Sequence, residues 1–158
     1  MQHFPEARLY ALFICLTLVL LFFTGAAHAT LGESISSLES NRAALKAVQK
    51  SITTRNTYTV HEDSSDGANV RQYVSSDGIV FAVAWNGVSH PDLASLLGKY
   101  YDDYSQVQQK TPRQRGKRHV QVRGSRVIVE RWGHMRNLQG RAYAPALLPG
   151  EVNLDEIR

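Results

Sequence analysis

The chain has 158 residues, with 18 Lys and Arg against 14 Asp and Glu, and one cysteine. That length suits one domain with its own hydrophobic core, and a single cysteine leaves no intramolecular disulfide to form. Because Cys15 lies inside an apolar run near the amino terminus, thiol redox chemistry and covalent haem attachment are excluded for the chain beyond that run.

The amino-terminal segment divides into three parts. Met1–Arg8 is weakly positive, Leu9–Thr24 carries no charge, and Gly25-Ala26-Ala27-His28-Ala29 sets small residues at both positions of an A-x-A site. This order predicts a signal peptide over residues 1–29, cleaved after Ala29 so that Thr30 becomes the new amino terminus, and export to the periplasm or beyond. The alternative is a retained anchor, since the apolar run approaches the roughly 18 residues that span a bilayer.

The rest, residues 30–158, reads as one domain. Ile35, Leu38, Leu45, Val48 and Ile52 share one side of a helix, which predicts an amphipathic first helix. Thr57–Glu62 alternates in a β-rich composition and is the first expected strand. Asp66-Gly67 and Asp77-Gly78 are turn signals before Val70–Val74 and Ile79–Trp85, giving an antiparallel meander of three strands. In the last of these, Ile79, Phe81, Val83 and Trp85 make a large-residue face expected to lie under helices.

Ser89 is the expected cap of a second helix, with Pro91 in its first turn and Asp92 completing a capping box. Leu93, Leu96, Leu97, Tyr100, Tyr101 and Tyr104 follow at helical spacing. From about 105 to 118 periodicity fades, which predicts a basic flexible linker. A hairpin about Gly124-Ser125 is expected to pair Val122 with Val127, Val120 with Val129 and Arg123 with Arg126. Gly133–Arg158 reads as mostly irregular. The expected class is therefore α+β: a small single domain, a three-stranded antiparallel meander packed by two amphipathic helices, and a C-terminal hairpin.

The motifs ATLGE (29–33), SITTRNTYTVHE (51–62), GIVFAVAWNG (78–87), PDLASLLG (91–98), GHMR (133–136) and GRAYAPALLPG (140–150) resemble the proteobacterial exported proteins catalogued as domain of unknown function 2844. The resemblance spans nearly the whole chain beyond the signal. It implies location and kinship, and it brings no activity, cofactor or catalytic residue.

No G-x-S-x-G, S-x-x-K or Gly-rich phosphate loop occurs, and no cofactor is implied. His61, Asp63, His90, Asp92 and His134 could form a metal or acid/base centre if the fold gathered them, although their spacing matches no recurring motif. Tyr100, Tyr101, Tyr104, Trp85 and Trp132 could line a sugar or lipid cleft, but their spacing is also that of core residues. Charge is segregated: residues 106–141 carry ten Lys or Arg against Glu130 alone. An export signal removes nucleic acid as a partner, which leaves an anionic membrane surface, an acidic glycan or an envelope protein. Lys117, Arg118, Arg123, Arg126 and Arg131 are the candidate anion-binding residues. The expected function is a non-catalytic envelope protein, with a small periplasmic metal-dependent or hydrolytic enzyme as the alternative.

Overall fold

A computed structural model describes residues 31–35, 48–65, 67–111, 116 and 118–158. The strands are β1 (Val48–Thr54), β2 (Tyr58–Ser65), β3 (Ala68–Ser75), β4 (Val80–Gly87), β5 (Val120–Arg123), β6 (Ile128–His134) and β7 (Asn137–Tyr143). They form one seven-stranded sheet in the order β1-β2-β3-β4-β7-β6-β5, with every pairing antiparallel. Helix α1 (Leu93–Leu97), a 3-10 turn at Gly98–Tyr100 and α2 (Tyr101–Lys110) follow one another on one face.

This corrects the expected fold class. The meander β2-β3-β4 exists, but the hairpin β5-β6 is no separate appendage, because β7 joins it to β4 in the same sheet. The stretch expected to be irregular thus supplies a central strand. Its sequence, NLQGRAY, is short of large apolar residues for a reason. Gly140 lies beneath Trp85, and a Cβ there would come 2.3 Å from the indole.

Val48 and Ile52, expected on a first helix, lie in β1; residues 36–47 of that predicted helix fall outside the described ones. The β-branched run Ile52-Thr53-Thr54 suits an extended backbone better than a helix. Both sheet edges are blunted against further pairing. A register shift between Gln49 and Ser51 interrupts β1, and β5 has four residues.

Strand β4 is buried from Val80 to Trp85, as expected of its composition. Its alternation is broken, however, because Tyr73 pairs with Ala82 and Val74 with Val80, leaving Phe81 as an extra residue. Such a bulge turns the following side chains over. Val80, Val83 and Trp85 therefore pack with Leu96, Leu97, Tyr100 and Tyr104 under the helices, whereas Phe81 joins Tyr58 and Tyr73 on the opposite face.

The helix begins later and ends later than its periodicity suggested. Asp92, not Ser89, caps it, its carboxylate accepting from the amides of Ala94 at 3.0 Å and Ser95 at 3.3 Å. Beyond Ser105 it runs on to Lys110 and closes with the Thr111 hydroxyl donating to the Val107 carbonyl at 2.8 Å.

Both ends of the described chain clamp the sheet. Leu31 is fully buried, its amide donating to the Leu96 carbonyl at 3.0 Å, while the Gly32 amide donates to the Val80 carbonyl at 2.7 Å. Gly32 has φ +79° and sits against the Tyr100 ring, where a Cβ would come within 2.8 Å; only glycine meets both demands easily. On the other face the C-terminal segment folds back through 3-10 turns at Pro145–Leu147 and Leu154–Glu156. It buries Ile157 among Tyr58, Tyr73, Phe81 and Tyr143.

Candidate functional site

The five residues of the metal or acid/base alternative do not converge. His61 and Asp63 are buried on the helix side of β2, opposite Gln72 and Val70 of β3. His90 stands against Trp85, its Nδ1 accepting from the indole Nε1 at 3.0 Å. Burial, then the charge of Arg131, lower its pKa, which keeps that nitrogen free to accept. Asp92 is occupied in capping α1, and His134 is exposed beside the β6-β7 turn. Among the described residues no three His, Cys, Asp or Glu side chains form a group that could hold a metal.

The basic residues are likewise distributed over two faces. Lys117 and the cleavage-site residues Ala27, Ala29 and Thr30 lie outside the described residues, and Arg118 is exposed. Val122 pairs with Val129, Arg123 with Ile128 and Val120 with Arg131, so the expected pairing of Arg123 with Arg126 is not formed. The turn is Ser125-Arg126, enclosed by the Gly124 amide donating to the Val127 carbonyl at 2.8 Å.

Asp103 of α2 explains that register. Its Oδ1 accepts from the Ser125 amide at 3.1 Å and hydroxyl at 2.7 Å, and its Oδ2 from the Arg126 amide at 2.8 Å. Burial alone would raise the carboxyl pKa, but these bonds outweigh it and the value is lowered. Gly124 leaves the room, since a Cβ there would come 2.3 Å from Asp103 Oδ2. An acid in the first turn of a helix carries no local signal of such a role.

Arg123 lies in the row with Ile128, Tyr143, Ala82 and Tyr73 on the face of the C-terminal segment. Arg131 shares the helix-side row of Gly140 and Trp85. Arg126 bends to the helix side, donating to the Lys99 carbonyl at 3.3 Å with its guanidinium 5.5 Å from the Tyr100 ring centre. Lys99 Nζ is also 5.5 Å from that ring and donates to the Gly32 carbonyl at 3.2 Å. Two cations thus share one aromatic ring where the chain enters the domain, an arrangement that composition alone does not announce.

One row of the opposite face carries charge that is internally matched. Across the sheet run Ser51, Glu62, Arg71, Ala84, Arg141, Glu130 and Gln121. Glu62 accepts from Ser51 at 3.3 Å and pairs with Arg71 at 3.7 Å, and Arg141 pairs with Glu130 at 2.7 Å. The C-terminal segment is tied down beside them. Tyr58 donates to Glu156 at 2.6 Å, and Tyr73 donates to the Arg158 carbonyl at 3.0 Å. Burial and then the Glu156 bond push the Tyr58 pKa up to about 12. Between β1–β3 and this segment lies a polar cleft of about 250 Å³ lined by Thr53, Arg55, Tyr58, Glu62, Arg71 and Glu156, among others.

One row further out stand Ser64, Asn69, Asn86, Gln139 and Trp132. The Trp132 indole donates to Gln139 Oε1 at 3.0 Å, and Gln139 donates to Asn137 Oδ1 at 2.9 Å. The Arg141 guanidinium lies 5.8 Å and the His119 ring 6.2 Å from the indole.

These features define a single-sheet α+β domain, clamped by its own ends, with a basic end on the helix side and a charge-matched polar face behind. The chain belongs to the family described as "Protein of unknown function (DUF2844)", whose model matches residues 27–157. No curated protein and no solved structure matches the chain. The motifs that carry the resemblance sit on the frame itself: Leu31 and Gly32 in the entry clamp, Val80–Gly87 as β4, and Gly140 under Trp85.

Proposed function

We propose that this is an exported, non-catalytic envelope protein that contacts an anionic membrane surface through the end bearing Lys99 and Arg126. Export rests on the order of charge, apolar run and small residues before Thr30. The non-catalytic reading is supported by where the perturbed groups sit. Asp103 holds a turn, Tyr58 the Glu156 side-chain carboxylate, and His90 the Trp85 indole.

The observation that carries the surface contact is the sharing of the Tyr100 ring by Lys99 and Arg126. Asp103, the acid of the adjoining helix that reaches the same turn, is occupied by backbone amides and a hydroxyl. Each basic side chain near an anionic surface contributes about 1 kcal/mol, falling away within a Debye length of about 8 Å. The location also suits the task. Leu31 is buried beside this pair, and the apolar run ends at Thr24. A fully extended connection reaches at most roughly 25 Å, so a precursor still held by that run turns this end toward the bilayer.

The test is co-sedimentation with neutral phosphatidylcholine vesicles and with vesicles containing phosphatidylglycerol, at low and high salt. Binding to the anionic vesicles alone, weakened by salt and by Lys99→Gln with Arg126→Gln but not by Arg123→Gln, is expected. Equal sedimentation with both vesicle types would sink the reading.

A further inference from the structure

We infer that the sheet face away from the helices carries a binding site for a neutral, extended glycan chain, centred on Trp132, Gln139 and Asn86. The site is independent of the basic end, which lies on the helix side.

The argument begins with register. Pairing sets Asn69, Asn86, Gln139 and Trp132 side by side on adjacent strands β3, β4, β7 and β6. Neighbouring strands are about 4.8 Å apart, close to the length of one sugar ring in an extended chain. A glycan lying across the strands would therefore meet one side chain per sugar. Amides are apt for this, since each offers both a donor and an acceptor to neighbouring hydroxyls.

The row is held in place. Trp132 is fixed through its indole N–H to Gln139, whose own amide is oriented by Asn137. The ring stays partly exposed, with Arg141 over it and its N–H bonded to Gln139, and a partly exposed indole bordered by polar groups offers the apolar surface and polar rim that a sugar's C–H face and hydroxyls require. The Asn86 Oδ1 is buried and has no hydrogen-bond partner. A buried acceptor left unmet is costly, and rotation of the Asn86 amide outward would present it to a ligand hydroxyl beside Gln139.

Charge selects the class. The carboxylates and guanidiniums of the adjoining row are matched as Glu62 with Arg71 and Glu130 with Arg141. The guanidiniums nearest the amide row are thus already paired, and the amide row itself carries neither charge nor an aliphatic side chain for an apolar partner. A neutral polyhydroxylated chain is what remains complementary.

The experiment uses protein purified from cells expressing the whole chain. Cellohexaose is titrated by tryptophan fluorescence and by calorimetry, with the α-linked maltohexaose as a second arm. A saturable response to cellohexaose is expected, weakened at least tenfold by Trp132→Ala and by Asn69→Ala with Gln139→Ala, at unchanged melting temperature. The double variant serves if Trp132→Ala disturbs folding. No response to cellohexaose, or a response in both variants equal to that of the unchanged protein, overturns the proposal. So does a response abolished by Lys99→Gln with Arg126→Gln, which would move the site to the basic end, or preference for the α-linked chain, which would deny the match to an extended ligand.

Discussion

Asp103 and Ser125 are joined twice, the carboxylate accepting both the amide at 3.1 Å and the hydroxyl at 2.7 Å of a residue 22 positions away. This pins the hairpin tip to the helix. Replacing Asp103 by Ala should cost about 1 kcal/mol, the modest end for bonds to a charged group that is partly exposed. Because the folded pKa is lowered, the contribution is present above the unfolded carboxyl value of about 3.9 and is lost as pH falls through the folded one. Denaturation midpoints from pH 6 to pH 2 should show wild type and Asp103→Ala converging only at the acid end. A constant gap would refute the linkage.

Trp85 and Gly140 act as a lock and its recess. Trp85→Ala should destabilise by about 3–5 kcal/mol, the usual loss for a large aromatic in a packed core. Gly140→Ala should destabilise too, since its new methyl meets the indole at 2.3 Å and the Glu130 carbonyl at 2.7 Å. Urea unfolding of each variant measures this, and an unmoved midpoint in Gly140→Ala would show the recess to be loose.

Tyr58 should govern the alkaline limit. Its folded pKa of about 12 stands above the ordinary 10, so its contribution is complete below pH 10 and is lost as pH climbs through 12. Thermal melts between pH 8 and pH 12 should fall more steeply in wild type than in Tyr58→Phe. The neighbouring Ile157→Ala should cost about 2–5 kcal/mol at every pH.

Protein recovered from the periplasmic fraction is expected to begin at Thr30. Amino-terminal sequencing checks this, and retention of Met1 would identify an anchor instead.

Much of this architecture could be read in advance, and the misreadings have identifiable causes. Strands β2, β3 and β4 are announced by alternation and by Asp-Gly turns, and Leu93–Tyr104 by helical spacing. Strand β7 was hidden because a central strand that must pass beneath an indole uses Gly140 and Ala142 where a pattern search wants large side chains. Phe81 was placed on the wrong face because a bulge adds one residue without changing composition. The hairpin register slipped because a remote carboxylate, Asp103, chooses the turn. The candidate histidines share no spacing motif, and the fold sets them apart: His61 buried in β2, His90 against the Trp85 indole and His134 exposed. The row from Asn69 to Trp132 had no signal at all, since its members come from four strands and meet only through pairing.

The last strand in the chain, β7, lies inside the sheet, between β4 and β6. Until β7 arrives, β4 presents an unpaired edge and β6 has β5 as its sole neighbour, so residues separated by more than fifty positions must meet before the sheet closes. Assembly of this kind is slow, because loop closure precedes the contacts that reward it. A chain emerging from the ribosome would accordingly keep its sheet open until β7 had been made.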